Sequence, residues 1–205
     1  MSYMMFKRLL GFMLALITCI ILIPVFFLIM VAIKLESKGP IFFKQKRVGL
    51  NKSHFNILKF RTMYIETPKD MPTHLLADPD VYITRVGKVL RKTSLDELPQ
   101  LFNIIKGEMS FVGPRPALWN QFDLIDERDK YGANNTLPGL TGWAQISGRD
   151  ELDIYSKAKL DGEYMKNINF WVDCKCIFST AISVIKSEGV SEGGPSLKQN
   201  INTKR

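Results

Sequence analysis

The feature that constrains this chain most is a run of apolar residues close to its N-terminus. From Leu9 to Ile33 the sequence contains no charged residue. A helix needs roughly 20 apolar residues to cross the hydrocarbon core of a bilayer, so this run is long enough. It is too long for a secretory signal peptide, and no small-residue cleavage site follows it. The sequence therefore predicts a membrane-attached protein.

The flanks of this segment leave its placement in the membrane open. Basic residues lie on both sides, so the positive-inside rule has no asymmetry to act on. Pro24 lies in the middle of the run, where it removes a backbone hydrogen bond and kinks a helix. A single spanning helix fits, and so does a bent helix that dips into one leaflet and returns to the cytoplasmic side. The flanking basic residues are Lys7, Arg8, Lys34, Lys38, Lys44, Lys46 and Arg47.

The composition narrows the class of protein. With 205 residues, 46% of them hydrophobic, the chain can bury one sizeable core. Its net charge of +8 suits anionic lipid or phosphorylated substrates. Nucleic acid is not expected as a partner, because there is no zinc-finger spacing, no RNP-like aromatic motif and no basic recognition helix. The sparse cysteines, Cys19, Cys174 and Cys176, indicate a reducing compartment and core or membrane-facing thiols.

After the apolar run the pattern changes to a predicted β-hairpin. Residues 41–48 and 55–60 are short strand-like runs on either side of a turn of about four residues. The end of the second run carries two cations, Lys59 and Arg61, which either protect a sheet edge or bind phosphate. Residues 66–80, which contain several prolines and aspartates, are predicted to form a loop.

The stretch at 91–103 places two carboxylates side by side at the predicted start of a helix. Ser94 and Glu97 match a capping box. Pro99 favours a slightly later start, because with Asp96 as the N-cap it falls in the first turn, where a missing N–H is tolerated. In either register the positive end of the helix dipole favours ionised carboxylates.

This acidic pair has two interpretations at this point. Acidic residues at the start of a helix are common caps and need no further function. Alternatively, an ionised nucleophile stands beside basic groups that could hold a phosphate, and Arg91 and Lys92 lie just upstream. The motifs before and after the pair have to decide between these interpretations.

Two further motifs present arginines. Arg115 lies in Phe-Val-Gly-Pro-Arg-Pro at 111–116, where the prolines restrict the backbone on both sides. Such a rigidly placed guanidinium suits a phosphate or carboxylate, although a plain rigid turn is the alternative. Residues 137–149 hold three glycines, Trp143 and Arg149, a composition typical of either close ligand approach or a compact structural loop.

The rest of the chain is predicted to be largely helical. The last helix contains Asp173 and Lys175 and is too short to span, so it is either a core helix or an interfacial amphipathic helix. The tail from Ser187 onwards is predicted to be disordered. The predicted helices lie at 84–90, 119–130, 152–165 and 170–186.

Together these motifs resemble the monotopic phosphoglycosyl transferases, a family of bacterial sugar transferases. The resemblance covers about residues 4–190 and includes the proline-broken apolar helix. It implies an α+β fold, a mostly helical small globular domain with an associated β-hairpin, anchored by an N-terminal re-entrant membrane helix broken at Pro24. Many relatives have a serine before this proline, where this chain has Ile23. The other matching motifs are KFRTM at 59–63, RKTSLDELPQLFN at 91–103, FVGPRP at 111–116 and PGLTGWAQISGR at 138–149.

The resemblance also implies roles at matching positions. It divides the chain into a re-entrant membrane helix at 1–36, a cytosolic catalytic domain with interfacial helices at 37–186 and a disordered tail at 187–205. Asp96 corresponds to the nucleophile and Glu97 to its dyad partner, whose role is either to orient Asp96 or to help bind a metal. The expected substrate-binding cations are Arg91, Arg115, Lys59, Arg61 and Arg149.

The activity implied by the resemblance is the transfer of a sugar-1-phosphate from a UDP-sugar to polyprenol (undecaprenyl) phosphate. UMP is released, and a covalent aspartyl-phosphosugar intermediate forms on Asp96. Mg²⁺ is the expected cofactor, held by Asp96 and the substrate phosphates. The expected location is the cytoplasmic face of the cell inner membrane, in contact with membrane lipid, and a homodimer is compatible with this interpretation.

Two competing interpretations predict different behaviour. A non-catalytic membrane adaptor that binds anionic lipid would be indifferent to the loss of Asp96. A one-step transferase, in which the acids only bind metal, would form a ternary complex and no covalent adduct. Neither the sugar nor the glycoconjugate pathway can be read from these motifs.

Overall fold

The computed structural model describes residues 3–67, 79–148 and 152–186 and has a mixed helix-and-strand fold, which confirms the predicted class. The predicted tail at 187–205 and most of the loop at 66–80 lie outside the described residues. The helices are α1 (Tyr3–Ile21), α2 (Ile23–Glu36), α3 (Pro79–Tyr82), α4 (Arg85–Lys92), α5 (Gln100–Ile105), α6 (Phe122–Asp129), α7 (Trp143–Ser147), α8 (Ile154–Lys166) and α9 (Phe170–Ile185). The strands are β1 (Phe42–Val48), β2 (His54–Phe60), β3 (Ser110–Val112) and β4 (Gly139–Thr141).

The apolar segment forms two helices with an interruption between them. Leu22, with φ −88° and ψ 5°, separates the end of α1 from the start of α2. Pro24 lies in the first turn of α2, where a missing N–H is tolerated but a continuous helix through it is not. Among the described residues, α1 is the one helix that is long and apolar enough to cross a membrane.

One face of this helix pair packs against the rest of the protein. Ala15 is fully buried on α1, while Phe26 and Ile33 on α2 pack with Phe60 and Leu90. The opposite face carries large apolar side chains that are exposed. The cluster around Ala15 consists of Phe55, Ile57, Leu101, Ile104 and Met109. The exposed apolar residues include Leu9, Met13, Leu16, Ile17, Ile20, Ile23, Phe27, Leu28 and Leu35.

The predicted β-hairpin is present. β1 and β2 are antiparallel, with Phe42 opposite Phe60 and Phe43 opposite Lys59. Because side chains in paired strands alternate between two faces, Lys59 shares a face with Phe43, and so does Arg47. This alternation places two cations of the hairpin on the same side of the sheet.

A second pair of strands was not predicted. β3 and β4 pair in parallel, with Ser110 opposite Gly139. A Cβ atom on Gly139 would lie 2.1 Å from the backbone nitrogen of Gly113, so only glycine permits this approach. For this glycine of the 137–149 motif, the structure therefore favours the interpretation as a compact structural loop.

The start of the central helix differs from the prediction. Ser94 adopts a left-handed conformation with φ 56°, and its side chain makes no capping hydrogen bond. The predicted capping box is therefore wrong, and so is Asp96 as the N-cap, because α5 begins at Gln100 after Pro99. Asp96 and Glu97 lie instead in a separate 3₁₀ turn before α5. A positive φ directs the backbone off the helical path and keeps the two acids outside the helix.

The exit of the apolar segment is fixed to α4. Both carboxylate oxygens of Glu36, the last residue of α2, accept hydrogen bonds from the backbone N–H groups of Arg85 and Val86, at 2.6 and 2.9 Å. Thr84 caps the same helix by accepting from the Gly87 N–H at 2.9 Å. Since the turn that carries Asp96 and Glu97 follows α4, these contacts connect the apolar segment to that turn.

Helix α9 has two unlike faces. Asp173 and Cys176 are buried against the domain, whereas Trp171 is 78% exposed and Phe178 is 69% exposed. An exposed apolar stripe on a helix with a buried polar residue is the reverse of an ordinary surface helix. All three cysteines are free thiols, as predicted, and Cys176 belongs to the core.

Candidate active site

The two central carboxylates lie in the turn between α4 and α5, close to the end of β2. Asp96 is only 8% exposed. Asn103 of α5 fixes this helix to β2, because its side-chain oxygen accepts from the Leu58 N–H at 3.0 Å and its amide donates to the Asn56 carbonyl at 2.9 Å. This clamp brings the last residues of β2 beside the acidic turn.

Glu97 is paired directly with two cations. Its Oε1 lies 2.7 Å from Nζ of Lys59 and 2.8 Å from Nη2 of Arg115. The same Lys59 nitrogen is 3.7 Å from Oδ2 of Asp96, which is beyond hydrogen-bonding distance. The structure thus brings four of the predicted site residues together. Direct contacts with Lys59 and Arg115 neutralise the charge of Glu97, whereas Asp96 only lies near Lys59.

The pKa values of the two acids move in opposite directions. Burial raises the pKa of Asp96, and the opposing charge of Lys59 does not cancel this effect. Burial would raise the pKa of Glu97 as well, but Arg115 and Lys59 outweigh it and hold this pKa well below its usual range. The helix dipole that was expected to favour the ionised form of Asp96 is not at its side, because α5 begins four residues later.

Arg91, another predicted phosphate ligand, lies within electrostatic range of the pair. It occupies the last turn of α4, and its charge lowers the pKa of Asp96 against the effect of burial. Its Nε donates to Oγ1 of Thr62 at 2.9 Å. Thr62 lies two residues beyond the end of β2, so this bond fixes the arginine relative to the hairpin.

Arg61 and Arg149 are not placed at the carboxylates by the structure. The buried guanidinium of Arg61 donates to the Lys38 carbonyl at 2.7 Å and to the Ser37 carbonyl at 2.9 Å. These contacts secure the chain just after α2, so the predicted substrate role of Arg61 gains no support from its geometry. Arg149 lies outside the described residues.

The turn that carries Arg115 is held on both sides. Before the arginine, the Pro114 carbonyl accepts from the Gly139 N–H at 2.9 Å. After it, the Pro116 carbonyl accepts from Nη1 of Arg47 at 3.0 Å. The predicted rigidity of this motif thus has a tertiary origin in addition to its prolines.

Arg47 is a residue of this site that the sequence analysis did not identify. The sequence places it only among the basic flanks of the apolar segment, yet in the fold it is half-buried and interacts electrostatically with Arg115 and Glu97. The available signal was the two-residue alternation of the hairpin, which places Arg47 on the same face as Lys59.

Comparison with known proteins agrees with this arrangement of residues. A family model described as bacterial sugar transferase matches residues 2–187. The chain belongs to the bacterial sugar transferase family. The family predicted from the motifs is confirmed.

Individual relatives cover this sugar transferase to different extents. The uncharacterized sugar transferase EpsL of Bacillus subtilis is 41% identical, over 86% of this chain and 85% of the relative. An undecaprenyl-phosphate glucose phosphotransferase of Komagataeibacter xylinus is 42% identical, over 78% of this chain but 32% of the relative. A UDP-N-acetylgalactosamine-undecaprenyl-phosphate N-acetylgalactosaminephosphotransferase of Aeromonas hydrophila is 38% identical, over 84% of this chain and 43% of the relative. The chain therefore spans less than half the length of the Komagataeibacter xylinus and Aeromonas hydrophila relatives, both of which are named for their substrates.

The site of this sugar transferase offers two carboxylates to a metal ion. Among the described residues, no group of three or more histidine, cysteine, aspartate or glutamate side chains converges on one point. Mg²⁺ commonly takes one or two carboxylates and completes its octahedron with substrate phosphates and water. The donor set of Asp96 and Glu97 fits this ion and does not fit a self-contained structural metal site.

Proposed function

We propose that this chain transfers a sugar-1-phosphate from a UDP-sugar to polyprenol phosphate in two steps. A carboxylate oxygen of Asp96 forms a bond to the β-phosphorus while the bond to UMP breaks, which leaves an aspartyl-phosphosugar. The phosphate oxygen of the polyprenol then attacks that phosphorus, and Asp96 leaves as a carboxylate. The relatives named for undecaprenyl-phosphate sugar phosphotransfer support this reaction class.

The observation that carries this proposal is the unequal pairing of the two acids. Glu97 shares its charge with Lys59 and Arg115 through direct contacts of its Oε1, so this oxygen is already engaged. Asp96 is more deeply buried but is held 3.7 Å from its cation, which leaves its oxygens available for a bond to phosphorus. A desolvated carboxylate without strong hydrogen bonds is the better nucleophile of the two.

The cations around the pair have a separate task. A carboxylate that attacks a diphosphate meets two negative charges, and Lys59, Arg91 and Arg115 lie where they can neutralise them. Mg²⁺, held by Asp96 or Glu97 together with the substrate phosphates, would supply further charge neutralisation when bound. Glu97 orients Lys59 and Arg115 in this scheme.

For the membrane segment we propose the re-entrant placement. Lys7 of α1 pairs with Asp173 of α9 at 2.9 Å, and Glu36 at the other end caps α4. Ala15, between them, is buried against the same domain. A helix that crossed the bilayer and left the domain on one side would have to break the contacts at one of its ends. The interruption at Leu22 supports the bent form.

The exposed stripe of α9 supports an interfacial position for this helix. Trp171 and Phe178 lie on its outward face, and Asp173 on its inward face binds the start of α1. The apolar stripe is thus tied to the membrane segment, and aromatic side chains at such a position are typical of the membrane–water interface. The proposed site then lies at the cytoplasmic surface, where a lipid phosphate and a soluble nucleotide sugar can meet.

The test of the reaction is UMP release by the purified protein in lipid nanodiscs, supplied with Mg²⁺, a panel of UDP-sugars and polyprenol phosphate. We expect one or a few sugars to give UMP together with a lipid-linked product. Asp126→Asn, a matched change at an exposed aspartate of α6, should leave the rate unchanged. No UMP with any sugar in the panel would contradict the proposal and favour the adaptor.

The test of the topology is labelling of single cysteines at Met5 and Lys38 by a membrane-impermeant maleimide, in a background without other cysteines. Both positions are exposed on the protein and flank the apolar segment. Labelling of both from the cytoplasmic side is expected. Labelling from opposite sides would establish a spanning helix.

A further inference from the structure

The side chain of Arg47 joins the β-hairpin to the turn that presents Arg115. Its Nη1 donates to the Pro116 carbonyl at 3.0 Å, and its Nη2 donates to Oε1 of Gln45 at 2.6 Å. The backbone makes the same junction, because the Val48 N–H donates to the Ala117 carbonyl at 3.0 Å. The end of β1 is thus attached at two successive residues to the chain that leaves the turn.

Arg115 therefore stands between two anchored carbonyl groups. The Pro114 carbonyl is bound by Gly139 on one side, and the Pro116 carbonyl is bound by Arg47 on the other. The first anchor belongs to the packing of β3 and β4, which any glycine-rich backbone of this shape would supply. The second depends on one side chain, so it is the anchor that a substitution can remove.

The charge of Arg47 is costly where it lies. Burial and the neighbouring charge of Arg115 lower the pKa of Arg47 to about 10, and Glu97 only partly opposes them. Among the described residues Arg47 has no carboxylate within ion-pair distance, and its buried Nε has no hydrogen-bond partner. A partly desolvated cation beside another cation costs stability, so its presence here points to a task that a neutral side chain cannot perform.

We infer that Arg47 is a positioning residue for the transfer reaction. Its fork-shaped guanidinium fixes the Pro116 carbonyl and thereby the direction in which Arg115 reaches towards the phosphates, and its charge adds to the positive field at that point. This inference rests on the proposed function, since it assigns Arg115 to the diphosphate of the substrate. Arg47 itself acts through Arg115.

A double-mutant cycle on the full-length protein in nanodiscs tests this role. Arg47→Met should lower kcat/KM for the UDP-sugar about 100-fold, in the same parameter, kcat or KM, that Arg115→Met affects. The double variant should be no slower than Arg115→Met alone, because Arg47 has nothing left to position. Arg47→Lys keeps the charge but cannot bond Pro116 and Gln45 together, so we expect an intermediate loss of about 10-fold. Lys44→Met, an exposed cation on the same hairpin, is the control and should stay within about twofold of the wild type.

The outcomes separate this inference from the proposed function. Losses that multiply in the double variant, or a melting temperature for Arg47→Met low enough to account for its loss of active protein, would overturn the inference while the transfer reaction stands. Full activity of Arg47→Lys would do the same, because the fork would then be unnecessary. A wild-type protein that transfers no sugar phosphate would overturn the proposed function and this inference with it.

Discussion

Two buried aspartates of this protein have opposite surroundings. Asp173, on α9, is 6% exposed and accepts hydrogen bonds from the Tyr3 and Tyr164 hydroxyls, each at 2.7 Å. It also pairs with Lys7 at 2.9 Å. Asp96, at 8% exposure, has Lys59 at 3.7 Å as its ion-pair contact among the described residues.

The difference indicates what each acid does. A buried carboxylate that is saturated with donors holds elements together, and Asp173 joins α1, α8 and α9 in this way. Burial and the contact with Asp173 raise the pKa of Tyr164, so this hydroxyl stays a donor at any ordinary pH. A buried carboxylate with weak contacts contributes little cohesion and keeps its oxygens reactive. Burial alone therefore does not identify the functional acid. The number and the distance of its hydrogen-bond and ion-pair partners do.

The largest expected effect is on catalysis at Asp96. Asp96→Asn should lower UMP release by at least about 10⁴-fold, since the amide cannot form the covalent intermediate. Its stability should equal or exceed that of the wild type at neutral pH, because the pKa of Asp96 is raised by burial and its ionised form costs stability. That advantage should vanish below about pH 4, where the carboxyl is protonated in both folded and unfolded states. Residual transfer within tenfold of the wild type would show that Asp96 is not the nucleophile.

The opposite result is expected for the saturated acid. Asp173→Asn should lower the free energy of unfolding by about 3–5 kcal/mol, because it leaves Lys7 buried without its counter-charge. Activity per folded molecule should change little. Chemical denaturation in detergent or nanodiscs measures the loss, and Lys7→Met combined with Asp173→Asn should recover part of it. A stability loss below about 1 kcal/mol would show that these contacts do not hold the helices together.

Glu97 is a third case, because it lies beside Asp96 but has direct ion pairs, as Asp173 does. Glu97→Gln should lower kcat/KM by about 100-fold, since the amide no longer fixes Lys59 and Arg115 through charge. The protein should still form the covalent intermediate, only more slowly. Single-turnover UMP release separates the two acids, and a Glu97→Gln variant as inactive as Asp96→Asn would give Glu97 an equal chemical role.

The smallest expected effect is a shift in pH dependence. Because Asp96 must be ionised to attack and its pKa is raised, activity should fall as the pH drops through a value above the usual range of aspartate. Lys59→Met removes a charge that lowers this pKa, so the acidic limb of kcat/KM should move up by about one pH unit. Lys44→Met should leave the limb in place. An unmoved limb in Lys59→Met would mean that another group controls it.

Much of the fold was predictable because local patterns specify it. Two short strand-like runs around a turn predicted the hairpin, and Pro24 predicted the interruption of the apolar segment. The left-handed Ser94 was not predictable, since tertiary packing and not local preference selects a positive φ at a serine. Because of this one backbone conformation, Asp96 and Glu97 lie in a turn before α5 and not at its N-cap, where they were predicted.

The candidate site was predictable in its residue types but only partly in their placement. Lys59 lies within β2, where alternation fixes its side, and it reaches the acids. Arg61 lies just beyond the strand, where alternation no longer applies. Its guanidinium donates to the Ser37 and Lys38 carbonyls, which follow α2. Alternation places Arg47 on the face of Lys59, but its bond to the Pro116 carbonyl joins a segment far along the chain, and no local pattern predicts that bond.

The covalent intermediate on Asp96 can be detected by the intact mass of the wild-type protein. The protein is incubated with Mg²⁺ and the UDP-sugar it uses, without lipid acceptor. The proposed mechanism predicts an added mass equal to the sugar phosphate, located on Asp96, absent from Asp96→Asn and removed by polyprenol phosphate. Product formation that needs both substrates at once, with no adduct at any time and with Asp96→Asn still active, would contradict it.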